Sequence, residues 1–251
     1  MSRITTVATG VLFALIFNGC LGSASTAAAS TPASAQLRAP TATPIASPMA
    51  LAAGKPGLTR SQILRLLSGI PQSGARLGIS KAPVTLTLFG DLECPPCQAY
   101  ALGRGFSTLV AKDVRAGRVR VIYRGFQTAT PSARVFELQQ VAALAAGEQH
   151  RFWQFALLFL HDQGAEGTSY VTESYLDGIA KQVPGLEVDR WKSAGHNPAL
   201  AAKVRADERL GDRDGIVGTP TVILQGPRGK VQPITPVPGY RQLEKAIRAV
   251  E

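Results

Sequence analysis

The stretch TLTLFGDLECPPCQAY, Thr85–Tyr100, decides how this chain is read. Val84, Leu86 and Leu88 alternate with threonines, the period of a half-buried strand. The run halts at Gly90-Asp91 and delivers Cys94-Pro95-Pro96-Cys97, after which Leu102, Phe106, Leu109 and Val110 fall at helical spacing. A C-x-x-C that opens a helix directly behind a strand is the layout of a redox dithiol. The unpaired N–H groups and partial positive charge of a helix start favour a thiolate there, and the thiolate is the form that attacks disulfides. Cys94 is therefore expected to be the exposed nucleophile and Cys97, one turn inside, the resolving thiol. Pro95 and Pro96 suit a first helical turn, but neither has an N–H to turn toward the Cys94 sulfur. The Cys97 N–H and S–H are left as the nearest donors. A depressed Cys94 pKa follows, less depressed than where a histidine or free amides separate the cysteines.

Three blander readings compete. A structural Cys94–Cys97 disulfide would close a very small loop and constrain the unfolded chain little. A zinc site normally needs four Cys or His ligands, and His150, His161 and His196 are scattered without ligand spacing. Two inert, buried cysteines are the third reading, against which the Pro-Pro pair argues for an exposed turn.

Composition bounds the rest. The 251 residues carry a net charge of +10, a balance that can serve nucleic acid or an anionic membrane surface. The Arg and Lys are dispersed, without a basic run or interleaved aromatics, so a nucleic-acid partner is not expected. Met1 to about Ala35 reads as a targeting segment: Arg3 supplies the positive start and Val7–Phe17 the apolar centre. Gly19-Cys20 after that centre fits a lipoprotein signal, residues 1–20, with Cys20 lipidated. Alternatively a peptidase cuts after Ala33-Ser34-Ala35, or Ile4–Leu21 stays as an uncleaved anchor. Each fate gives an extracytoplasmic protein whose mature domain holds only Cys94 and Cys97 as cysteines. Residues 21–57 are Ala, Ser, Thr and Pro with almost nothing to bury, and are expected to form a disordered membrane tether of about 30–35 Å.

From residue 58 onward the pattern is that of a folded domain, 58–251. Ser61–Ser68 has helical spacing, Gly74–Ser80 a short strand, and Arg118–Arg124 (RVRVIYR) alternates as the next strand. About eighty helical residues follow. Leu138, Val141, Ala142 and Ala145 repeat at i, i+3, i+4, i+7, as do Phe152, Phe155, Ala156 and Phe159. The second set is apolar nearly all round, so it is core or borders a groove. Thr172–Val183 and the segment from Asn197-Pro198, a good cap and first residue, suggest further helices. Thr219–Leu224 is a strand, Gly226–Gly229 a turn, Lys230–Thr235 a returning strand, and Tyr240, Leu243, Ile247 and Val250 line a closing helix. The order predicts an α/β sheet domain with a helical insertion.

The run Phe89–Cys97, the helical block at about 132–214 and Gly218-Thr219-Pro220-Thr221 resemble the DsbA-like branch of the thioredoxin-fold thiol–disulfide oxidoreductases. The resemblance spans roughly residues 60–251 and implies an α/β thioredoxin fold with an inserted helical domain. It implies a cis peptide bond at Pro220, with Thr219 presenting backbone groups to a substrate strand beside Cys94. Its chemistry is exchange at Cys94 and Cys97 with no metal or organic cofactor. Its partners are cysteine-containing client proteins and a membrane protein that resets the dithiol, quinone-linked if the protein is an oxidase. A monomer is the default for this layout. Oxidase is the direction the insertion favours. A reductase, which CPPC without a histidine keeps open, and a binding or holdase module are the alternatives. One departure is clear: family members often carry a buried acid six positions before the first cysteine, and this chain has Leu88 there. Asp91 and Glu93, read as lying nearer the surface turn, are left as candidates for handling the Cys97 proton.

Overall fold

The computed structural model describes residues 57–235 and 237–251. The 1–20 signal, Cys20, the cut after Ala35 and all but the last residue of the 21–57 tether lie outside them.

The TLTLF run forms β3 (Val84–Gly90), with Val84, Leu86 and Leu88 buried and the threonines half-buried. It is the hub of a six-stranded sheet ordered β1-β2-β4-β3-β5-β6. On one side β3 runs parallel to β4 (Val119–Gly125), and on the other antiparallel to β5 (Thr221–Gly226). The outer strands are two residues each: β1 (Gln72–Ser73), β2 (Arg76–Leu77) and β6 (Gly229–Lys230). A parallel pair needs a crossover, and α2 (Pro95–Ala101) with α3 (Arg104–Leu109) supplies it, so the sheet itself sets the CxxC turn at the end of β3.

Three elements differ from the sequence reading. The strand expected at Gly74–Ser80 is only Arg76–Leu77, paired with the unexpected β1. The helix after the cysteines is broken: at Leu102-Gly103 the chain leaves helical conformation, Gly103 (ψ 172°) caps α3, and α3 continues into a π-helical turn at Val110–Val114. The returning strand Lys230–Thr235 shrinks to Gly229–Lys230 and a lone bridge between Ile234 and Val222. Pro233 has no N–H for a ladder.

Between β4 and β5 stands the helical insertion: α4 (Ala133–Gly147), α5 (Phe152–His161), α6 (Glu173–Ala180), α7 (Val188–Gly195) and α8 (Pro198–Arg213). Asn197 caps α8 through its side chain on the Ala199 N–H (3.0 Å), with Pro198 first in the helix. The domain is thus an α/β thioredoxin fold with an inserted helical domain, closed by α9 (Tyr240–Val250). The aromatics of α5 are core. Phe152, Trp153, Phe155 and Phe159 are at most 1% exposed, which takes them away from any client groove.

Those rings join the insertion to the sheet domain. Trp153 stacks on Phe106 of α3 (5.5 Å), and Phe152 packs on Tyr123 of β4 (5.2 Å). Such pairs add about 0.5–1.5 kcal/mol to their burial. Phe106 is fully buried and also meets Tyr100 of α2 (5.6 Å), so it sits where three elements converge behind the cysteines. Phe106→Ala is expected to cost about 3–5 kcal/mol of unfolding free energy in urea titrations. A loss below about 1 kcal/mol would mean that this junction is not what holds the parts together.

Candidate active site

Strand β3 ends at Gly90, the register partner of Gly125 at the end of β4. The chain then turns through Asp91-Leu92-Glu93, and Cys94 caps α2 in extended conformation with Pro95 and Pro96 in the first turn. Cys94 and Cys97 are free thiols. The expectation of an exposed Cys94 is not met. Cys94 is 4% exposed and Cys97 6%; of the motif only Pro96 is exposed, with Pro95 half-buried. The cover comes from a segment distant in sequence: the Cys94 S–H donates to the Thr219 carbonyl (3.3 Å). The Thr219–Pro220 peptide is cis, as the resemblance implied, and Pro220 lines the same small cavity as Cys97.

Burial does not make the cysteines inert, because their surroundings differ. The Cys97 thiol beside it holds Cys94 down from its ordinary 9.0 to about 7; burial opposes this, and Thr219 and the Cys97 backbone add to it. Burial, reinforced by Cys94, pushes Cys97 well up. One sulfur is poised as the thiolate near neutral pH and the other keeps its proton, the division of labour that exchange through a mixed disulfide requires. Among the described residues no three His, Cys, Asp or Glu side chains gather where they could share a metal ion.

Asp91 and Glu93 are also not at the surface. Asp91 is fully buried and Glu93 4% exposed. One oxygen of Asp91 accepts from the N–H groups of Thr128, Ala129 and Thr130 (2.9–3.0 Å). The other accepts from the Thr130 hydroxyl (2.6 Å) and the Glu93 N–H (3.0 Å). These donors replace the water a buried carboxylate loses, and they draw the turn inward. Burial, and then the Asp91 charge, push Glu93 above the usual carboxylate range, while Thr130 pulls it down.

Several site residues had no sequence signal. Thr128 bonds the Thr219 hydroxyl, tying the β4–α4 loop to the cis turn. Gln139 of α4 donates to the Thr130 hydroxyl (2.6 Å), and Gln163 after α5 donates to the carbonyls of Leu92 (2.7 Å) and Cys94 (3.2 Å). The insertion thus holds the CxxC turn through two glutamines. Neither interrupts a periodic pattern, so only the fold reveals them.

A twisted sheet presenting an asymmetric dithiol beside a cis-proline turn defines a thiol–disulfide oxidoreductase. A thioredoxin family model matches residues 72–243, and the chain belongs to that family. Over 174 residues it is 26% identical to "Probable disulfide bond formation protein D" of Bacillus anthracis, covering 68% of this chain and 75% of that one. It is 31% identical over 155 residues to "Na(+)/H(+) antiporter NhaA 1" of Salinispora arenicola, a match to 60% of this chain but 21% of the antiporter. Among solved structures, oxidised BdbD from Bacillus subtilis superposes with a TM-score of 0.60 at 22% identity, over 72% of this chain and 96% of that one.

The asymmetry gives a pH dependence. With Cys94 lowered to about 7, its thiolate is present above that pH and lost as pH falls through it. Alkylation of the reduced protein by iodoacetamide is expected to be half-maximal near pH 7, level above it, and to fall about tenfold per unit well below. Cys97→Ala removes the largest lowering cause and moves the midpoint upward. A wild-type midpoint at the ordinary 9.0 would contradict the geometry.

Proposed function

We propose that this chain is an extracytoplasmic disulfide oxidase acting on exported, cysteine-containing proteins. The observation that carries the chemistry is the unequal pair: Cys94, its sulfur beside Thr219, is held down to about 7 by the Cys97 thiol, while burial keeps the proton on Cys97 behind it. Support for the direction comes from the 174-residue likeness to a protein named for disulfide bond formation. A client thiolate attacks Sγ of Cys94 in the Cys94–Cys97 disulfide, forming a client–Cys94 bond and releasing Cys97 as thiolate. A second client thiolate then attacks the client sulfur and expels Cys94. The client leaves oxidised, with two electrons left on the dithiol. A membrane redox partner, quinone-linked for an oxidase, takes those electrons. The client strand lies along Thr219, whose backbone borders Cys94, with Pro220 fixing the turn.

The N-terminal residues support the location by their sequence alone: a charged start, an apolar run, Cys20 and an Ala/Ser/Thr/Pro tether. Among the described residues no helix is long and apolar enough to cross a membrane, so in this reading the attachment rests on residues 1–57, with the monomeric domain beyond it.

A specific observation favours a second direction. A Cys94 pKa of about 7 is close to that of thioredoxin, about 7, rather than DsbA, about 3.5, and the dipeptide Pro95-Pro96 brings no cation. In that direction Cys94 attacks a client disulfide and Cys97 releases the product. Equilibration in glutathione or dithiothreitol buffers separates the two. An oxidase is expected between about −120 and −180 mV, whereas about −270 mV would assign the reductase direction. No redox transition at all would remove both and leave a binding module.

A further inference from the structure

Exchange leaves negative charge on Cys97, either as it departs from the disulfide or as it attacks the mixed disulfide. The small cavity beside Cys97 is lined almost wholly by carbon: Leu88, Leu92, Ala101, Trp153, Ala156, Leu157, Leu160 and Pro220 among others. Cys97 is 6% exposed, so a thiolate there depends on donors from the protein; Thr219 and the Asp91 backbone already favour the charge against burial. Besides Cys97, four side chains with an oxygen or nitrogen line this cavity: Asp91, Tyr100, Tyr123 and Trp153, whose indole N–H is committed to the Ala75 carbonyl (3.2 Å). Asp91 already accepts five short hydrogen bonds and, as a carboxylate, has nothing to donate. Leu88, in register beside Tyr123, brings no polar atom from β3. Glu93 does not line the cavity.

The sheet makes special provision for Tyr123. A Cβ on Gly90 would stand 2.8 Å from the Tyr123 ring and 3.2 Å from its hydroxyl. A Cβ on its register partner Gly125 would stand 3.0 Å from Gln140. The paired glycines thus leave room for a Tyr123–Gln140 couple, in which the Gln140 amide donates to the Tyr123 oxygen (3.2 Å). That bond occupies a lone pair and leaves the phenol O–H free to donate. Burial first, then charge at Cys97, pushes the Tyr123 phenol well up, with Asp91 and Cys94 adding to it, so it stays a donor throughout the working pH range. Tyr100 also lines the cavity, and its buried hydroxyl has no hydrogen-bond partner among the described residues, so nothing there braces it toward the sulfur. Its ring packs on Phe106, and burial alone raises its phenol, whereas charge at Cys97 reaches Tyr123.

We infer that Tyr123, braced by Gln140, is the hydrogen-bond donor that stabilises the Cys97 thiolate across this cavity during disulfide exchange. The free space lets phenol and sulfur close on each other as charge develops. No proton leaves Tyr123. In the resolving step the Cys97 sulfur bonds to Cys94, the client sulfur departs with the bonding pair, and the proton lost by Cys97 ends on the client thiol. In the opposite direction the same bond steadies Cys97 as leaving group. This inference rests on the redox reading of Cys94 and Cys97.

The test follows two steps separately in the full chain: reduced protein is mixed with glutathione disulfide, quenched in acid and weighed. Step one forms the Cys94–glutathione mixed disulfide; step two is its resolution by Cys97. Tyr123→Phe is expected to slow step two about tenfold while step one and the pH midpoint of Cys94 alkylation stay within twofold. Tyr100→Phe is expected to leave both steps unchanged. Resolution at the wild-type rate in Tyr123→Phe, a slowing by Tyr100→Phe instead, or equal loss in both steps with a lowered Tm would overturn the assignment. Should Tyr123→Phe not fold, 3-fluorotyrosine at position 123 replaces it. Its more acidic phenol is expected to speed step two, and an unchanged rate would overturn the assignment. If the wild type forms no mixed disulfide, it is the redox reading that fails.

Discussion

The buried carboxylate of Asp91 is the constraint on which the site depends. A carboxylate removed from water is costly unless donors replace its hydration, and here the donors are the amides of Thr128–Thr130, the Thr130 hydroxyl and the Glu93 amide. Hydrogen bonds to a charged group contribute roughly 1.5–3 kcal/mol each, so the turn after β3 and the loop after β4 are locked as one body. Thr128, in that loop, holds Thr219, and Thr219 meets the Cys94 sulfur. One acidic residue thereby sets the distance between the cysteine turn and the cis-proline turn, although the two are more than a hundred residues apart.

Within that frame, the two thiols are made unequal by position alone. Cys94 stands at the start of α2 with the Cys97 S–H turned on it. Cys97 lies one turn deeper, among Leu88, Trp153, Leu157 and Pro220. Cys94 gains the low pKa and Cys97 keeps its proton, the inequality on which the proposed exchange with a client depends. The insertion shares in this. Gln163 grips the carbonyls of Leu92 and Cys94, and Trp153, Ala156, Leu157 and Leu160 of α5 form the wall behind Cys97. The helical block is therefore part of the active site's support as well as a covering domain.

Much of this was legible in residues. Alternation in Val84–Leu88 and Val119–Tyr123 marks the two central strands because period two survives burial of one face. The Asn197-Pro198 pair marks the start of α8 through a local cap. Depth was not legible. CPPC reads as an exposed turn because proline favours turns, yet the Thr219 loop closes over Cys94. Asp91 and Glu93 read as surface residues because carboxylates usually are, and the amides that permit their burial come from residues 128–130. Tyr123 reads only as a strand residue. Its standing beside Cys97 depends on sheet register and on two glycines that meet only when β3 and β4 pair. Pairwise tertiary geometry of this kind leaves no periodic trace.

The central claim is that Cys94 is the sulfur that meets a client and Cys97 the one that waits. The most direct measurement is to react the Cys97→Ser and Cys94→Ser variants, each reduced, with a peptide disulfide and locate the adduct by tandem mass spectrometry. The account predicts a stable peptide adduct on Cys94 in the first variant and almost none on Cys97 in the second. Equal labelling of both, or an adduct on Cys97 alone, would contradict it.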